Sequence, residues 1–198
     1  MFDVESFIAN IGTNKGLATG NRYAVNINAN VSGGKNPHVD LYAESISIPS
    51  RSIATEDIRT YGPLRKVARE SIYGEMTIGF IVTNDMLVKD YFDRWMVTVQ
   101  NDHSYDVNYY DKYVGDIYIA HLSEDDEYVV PSNSSQGNHY AVKVEEAYPI
   151  TIGELNYGYA NMNQYMKLSV TFTYRRWINL KYMDGGSGQP LDSALYRN

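Results

Sequence analysis

The chain has 198 residues, 43% of them hydrophobic and 21% charged, enough apolar mass for one core with decorations or for two small domains. It has no cysteine, which excludes disulfides, cysteine-ligated zinc and a thiol nucleophile. A formal net charge of −7 argues against a general grip on nucleic acid, though not against a surface past which nucleic acid slides, since like charges repel.

The first stretch, MFDVESFIANIG, carries two acids and no basic n-region, so it does not read as a secretory signal. Its apolar points Phe2, Phe7, Ile8 and Ile11 suit either a short helix or an arm that docks on a neighbour, and residues 1–20 are read as an N-terminal arm. From Arg22, Tyr23, Val25, Ile27 and Ala29 alternate with Arg22, Asn26 and Asn28, giving a first strand. Ser32 to Pro37 is a loop by its glycine and proline content. Leu41 to Ile48 is a second strand, ended by Pro49, which lacks a ladder donor. Arg51 to Tyr61 is extended and polar, hence exposed or paired with another chain. Gly62 and Pro63 turn the chain into Leu64 to Glu70, where Arg65, Lys66 and Arg69 form the strongest basic cluster, read as a loop.

Ile72 to Thr83 alternates again, with Ile72, Met76, Ile78, Phe80 and Val82 on one face. The period then changes. Val88, Tyr91, Phe92, Trp95 and Val99 recur at helical spacing, so an amphipathic helix is expected over residues 84–100, with Asn84 as its N-cap and Asp85 and Asp90 toward its positive end. Gln100 to Tyr113 has no period and reads as loop. Gly115 to Leu122 is a short strand apolar on both faces, Glu124 to Glu127 is acidic, and Pro131 to Asn138 is a second loop. Tyr140 to Tyr148 is a strand through Tyr140, Val142 and Val144. The longest alternation is the last: Met166, Leu168, Val170, Phe172 and Tyr174 against Lys167, Ser169, Thr171, Thr173 and Arg175, ending at Trp177. One face of that strand belongs to a core and the other to something polar. Residues 181–198, with GGSGQP, read as a flexible tail.

Catalytic chemistry has no positive signal. His38, His103, His121 and His139 have no ligand-spaced partners. Asp102, Asp106 and Asp111 around His103 imitate a metal loop but lack the glycine and terminal acid of a calcium loop. Glu124, Asp125, Asp126 and Glu127 repel one another and suit a solvated face. No nucleophile elbow, phosphate loop or zinc helix motif occurs. No enzyme activity, metal or cofactor is expected. Nineteen tyrosines against five phenylalanines and two tryptophans suit half-buried strands and subunit interfaces.

The segment YPITIGELNYGYANMNQYMKLSVTFTYRRW, Tyr148 to Trp177, resembles the C-terminal half of contractile-tail phage tail tube proteins. Ile72 to Gln100, a strand leading into an acidic helix that carries Trp95, is similar to the middle of the same family. The resemblance implies a mainly β fold, an antiparallel β-barrel or sandwich with one flanking amphipathic helix and extended arms, spanning residues 21–180. It implies hexameric rings stacked into a hollow conduit for DNA ejection from a myovirus virion assembled in the host cytoplasm. Sheath, baseplate and tape-measure proteins would be partners, and DNA would pass without specific binding. A fold kinship with type VI secretion tube proteins follows too. The candidate assembly residues are Arg65, Lys66, Arg69, Arg175, Arg176 and Trp177; the N-terminal arm and the tail are candidates for contacts between rings or with the sheath. Extra residues at 31–38, 100–138 and after Trp177 keep a baseplate tube-initiator ring open as an alternative. From other classes, a monomeric β-sandwich binding glycans or a receptor and, more remotely, a hydrolase built on an Asp–His pair also remain open.

Overall fold

A computed structural model describes residues 3–13, 17–29, 31, 38–59, 61–122, 140–159 and 164–180. The acidic run, the loop at 131–138, His139 and the tail lie outside the described residues. Helix α1, Val4–Thr13, resolves the first stretch as a helix. Strand β1, Tyr23–Ala29, buries Ala24, Val25 and Ile27. A 3-10 turn at Val39–Tyr42 precedes the short β2, Ala43–Ile46, so the expected second strand begins later and ends earlier than its apolar pattern suggests.

The next two strands correct the sequence reading. Arg51–Ile58 (β3) pairs antiparallel with Arg65–Tyr73 (β4), so the basic segment is a strand and not a loop. Its charged side chains share the strand with Val67 and Ile72 in a hairpin turned at Gly62, whose φ of 88° suits glycine. The alternation expected over Ile72 to Thr83 is likewise two strands. β4 ends at Tyr73, and β5, Met76–Ile81, buries Met76, Ile78 and Phe80.

Helix α2, Leu87–Val99, buries Val88, Tyr91, Phe92 and Trp95, the stripe its spacing predicts. Its N-cap position is Met86 and not Asn84, in the left-handed region at φ 55°. Asp85 takes the capping role from one residue upstream, its Oδ1 accepting the Leu87 N–H at 3.4 Å. The segment read as loop up to Tyr113 contains a one-turn helix, α3, Tyr110–Tyr113. β6 is Gly115–His121, and β7, Tyr140–Ile152, continues through Pro149 past its expected end. The proline sits beside a register shift between Pro149 and Thr151, where the ladder tolerates a missing donor.

The long C-terminal alternation is broken once. β8, Lys167–Thr173, stops before Tyr174, and β9, Arg176–Asn179, resumes and pairs with β7, as β6 and β8 do. The hydrogen-bonded order is β1-β6-β7-β8-β5-β2, with β3-β4 as a separate two-stranded sheet. The fold is thus mainly β and antiparallel, sandwich-like; the barrel alternative is not realised, because the strand order ends at β1 on one side and β2 on the other.

Contacts divide the chain into two units. In the unit formed by residues up to 26, 117–143 and from 178 onward, Ala24, Tyr118, Ala120, Leu122, Ala141 and Leu180 form a buried cluster. In the unit formed by 27–116 and 144–177, α2 covers one face of β5 and β8. The Phe92 ring lies 4.9 Å from Phe80 and 5.9 Å from Phe172, and Trp95 lies 5.9 Å from Phe172. Gly115 is forced by space: a Cβ there would lie 2.7 Å from the Asn28 carbonyl oxygen and 2.6 Å from the Ala29 Cβ. Gly115→Ala is therefore expected to cost about 1–3 kcal/mol, read as a lower urea midpoint with an unchanged slope.

Candidate assembly surface

The face of β5 and β8 opposite α2 is small and polar. Thr77 and Thr171 face each other across the ladder with hydroxyls 3.2 Å apart, and Gly79 pairs with Ser169. At its margin Glu44 accepts bonds from Lys167 Nζ at 2.6 Å and from the Tyr165 hydroxyl at 2.9 Å. The lysine bond, then the tyrosine bond, holds the Glu44 carboxyl below its ordinary range.

The β3–β4 hairpin has no interior. Apart from Ala54 and Tyr73 every residue of its two strands is exposed, among them Ile53, Ile58, Val67 and Ile72. Near the turn, Tyr61 and Leu64 are exposed as well. Cross-strand partners share a face, so Ile58, Val67 and Ile72 line one side and Ile53 the other. Arg69 is the extra residue where the register shifts between Ala54 and Thr55. At the hairpin base, Arg51 stands over the Tyr73 ring at 5.8 Å, and Tyr73 meets Tyr174 edge-on at 6.2 Å. Burial, then the neighbouring Tyr73, pushes the Tyr174 hydroxyl up to about 12.

The predicted assembly residues fall into two groups. Arg65, Lys66 and Arg69 lie on β4, Arg65 and Lys66 toward the tip. Arg175, Arg176 and Trp177 lie where β8 gives way to β9. Arg65 is eight residues from Tyr73, roughly 26 Å along an extended strand, so the structure does not gather the six into one site.

The second group is held by a bulge in β7. Val142 and Val144 are buried, then Ala147 and Pro149, so the buried frame moves by one residue between them. Glu146 absorbs the shift at φ 55°, a left-handed conformation that costs a non-glycine residue about 1 kcal/mol or more. Two consecutive glutamates thereby meet two consecutive arginines. Arg175 donates to Glu146 at 2.7 Å and Arg176 to Glu145 at 2.7 Å, and the Arg175 backbone N–H reaches the Glu145 carbonyl. Trp177 is half-buried, with its indole N–H lacking an acceptor among the described residues.

Arg175, then Tyr110, holds the Glu146 carboxyl below its ordinary value of 4.5. A depressed folded value means stability that is present above 4.5 and lost as pH falls through the folded value. Glu146→Gln removes that proton-linked loss, so urea midpoints measured on descending pH should fall less steeply below about 4.5 in the variant. An identical acid limb in both proteins would refute the linkage.

The apolar residues of the hairpin were the part of this surface that sequence reasoning missed, although Ile53, Ile58, Val67 and Ile72 flanking a Gly-Pro turn are a visible hairpin signal. A depression of about 690 Å³ elsewhere is lined by Val31, Arg94, Val97, Thr98, Asn101, Asn108, Asp111 and Lys112, with no histidine among them. Among the described residues no group of three or more acids and histidines is placed to hold a metal ion.

Among the described residues the fold is mainly β, antiparallel and sandwich-like, with an exposed two-stranded hairpin. The chain belongs to the phage tail tube protein family, whose family model matches residues 6–180. Its fold is similar to a chain of the anti-feeding prophage baseplate, at TM-score 0.59 and 17% identity, covering 82% of this chain and 95% of that one. It is equally similar to a chain of the extended sheath-tube complex of an extracellular contractile injection system, at 0.59 and 16%, covering 86% and 95%. A chain of the anti-feeding prophage tube-terminating cap follows at 0.57 and 15%, covering 82% and 90%. No curated protein matches the chain by sequence.

Proposed function

We propose that this chain is the repeating subunit of a contractile tail tube, closing into six-membered rings that stack as a hollow conduit for DNA. The observation that carries this reading is the β3–β4 hairpin, a two-stranded sheet exposing apolar side chains on both faces. A lone hairpin is marginal in water, and a ladder with unpaired edges invites another chain. A neighbouring copy supplies the missing cover. The small polar face of Thr77, Gly79, Ser169 and Thr171 suits the lumen, since its side chains are uncharged and the one lysine at its margin, Lys167, is paired with Glu44. The negative net charge works in the same direction.

In this reading the chain works by shape and not by catalysis. Residues 1–20 act as an arm, the sheath surrounds the tube, baseplate and tape-measure proteins fix its start and length, and assembly takes place in the host cytoplasm before the tube joins the virion tail. Arg65, Lys66 and Arg69 serve contacts between subunits, while Arg175, Arg176 and Trp177 hold the wall in register. The second reading is a baseplate ring that initiates the tube, because the fold fits a baseplate chain and a sheath-tube chain with the same TM-score of 0.59.

Negative-stain microscopy of the purified protein across a concentration series tests both. Spontaneous long tubes support the tube subunit. Isolated rings that lengthen only with a partner support the initiator. A chain that stays monomeric at every concentration, with tail partners added, overturns both in favour of a monomeric binding module.

A further inference from the structure

Helix α1 and the tip of the β3–β4 hairpin are complementary surfaces. Asp3 caps α1, its Oδ1 accepting the Glu5 N–H at 3.1 Å and its Oδ2 the Ser6 hydroxyl at 3.1 Å. The ten-residue helix, about 15 Å long, is shorter than helices that stand alone in water. Its outward stripe is apolar: Val4 and Ile8, one turn apart, are 61% and 62% exposed, with the half-exposed Phe7 between them. Its ionisable side chains from residue 3 to 13 are Asp3 and Glu5, a charge of −2.

The hairpin tip, residues 57–59 and 61–66, has the opposite character. Arg59, Arg65 and Lys66 outnumber Asp57, a net +2, around the exposed Ile58, Tyr61 and Leu64. Each chain carries one acidic apolar helix and one basic apolar tip. We propose that α1 of one copy seats on the hairpin tip of a neighbouring copy, with Val4 and Ile8 against Tyr61 and Leu64 and Glu5 near Arg65 or Lys66. The contact is heterologous, so every copy gives a helix and receives one, as a ring or a stack requires. The proposal rests on the tube reading above and names the two surfaces that join its subunits.

The absence of native cysteine makes a disulfide test direct. Ile8→Cys and Leu64→Cys are purified separately, mixed, allowed to assemble and oxidised. A linked pair of chains that needs both variants in the mixture is expected, and it can arise only between copies. Glu5→Lys, which leaves the Asp3 cap in place, is expected to raise the concentration needed for assembly about threefold or more at low salt, and Arg65→Glu in the same chain to restore it. Rings or tubes that form without the mixed cross-link, or a Glu5→Lys defect that Arg65→Glu deepens, overturn the docking while leaving the tube reading intact. Unsubstituted protein that never assembles overturns both.

Discussion

Trp95→Ala is expected to lower stability by about 3–5 kcal/mol, a large share of the 5–15 kcal/mol that holds a domain together. Trp95 is fully buried and stacks with Phe92 at 6.3 Å while meeting Tyr91 and Phe172 edge-on or tilted at 5.9 Å each. Its indole N–H donates to the Tyr113 carbonyl at 2.7 Å, tying α2 to α3. Truncation opens a cavity under the helix and leaves a carbonyl without its donor, so two costs add. Trp95→Phe retains most of the ring and loses the bond, and should cost about 1–3 kcal/mol. Urea unfolding of the three proteins orders them. An alanine variant as stable as the parent would mean that α2 is not what closes the apolar face of β5 and β8.

Arg65→Glu combined with Arg69→Glu is expected to weaken assembly at least tenfold, about 1.4 kcal/mol, with the monomer's urea midpoint unchanged. Both side chains are exposed on β4, and neither lies in the buried core, so the fold has little to lose. Reversing two cations changes the local charge by four units, and the defect should shrink as salt rises, because exposed charges are screened beyond about 10 Å at 0.1 M. Sedimentation or light scattering across concentration and salt reads the effect. Assembly unchanged by the pair would show that the basic strand does not bridge subunits.

What the sequence made legible was periodicity. The α2 stripe at Val88, Tyr91, Phe92 and Trp95 and the β8 stripe at Leu168, Val170 and Phe172 were both readable, because each face is buried by one partner over several repeats. Breaks within a period were not. Gly74 and Glu75 divide what looked like one strand from Ile72 to Thr83, and Ile72 keeps the alternation although it is exposed on the hairpin. Alternation reports a pleat without naming the sheet that owns it. The Glu145-Glu146 pair hid a bulge for a related reason: an extra residue shifts the buried frame only when both sides of it are compared. Arg175 and Arg176 were singled out as candidate assembly residues, but their ion pairs depend on that bulge and on chain brought from about thirty residues away.

The hairpin's lack of an interior has a kinetic side. Amides of β3 and β4 are held by one ladder and by no buried layer, so in an isolated subunit they should exchange with solvent orders of magnitude faster than those of β5 and β8. If neighbours cover the hairpin, the same amides should become slow while the core amides barely change. The molecule then carries its own gauge of assembly. Deuterium uptake at Ile53, Val67 and their neighbours would report how many subunits are engaged at a given moment, and in what order contacts form, without a label or a probe attached to the chain.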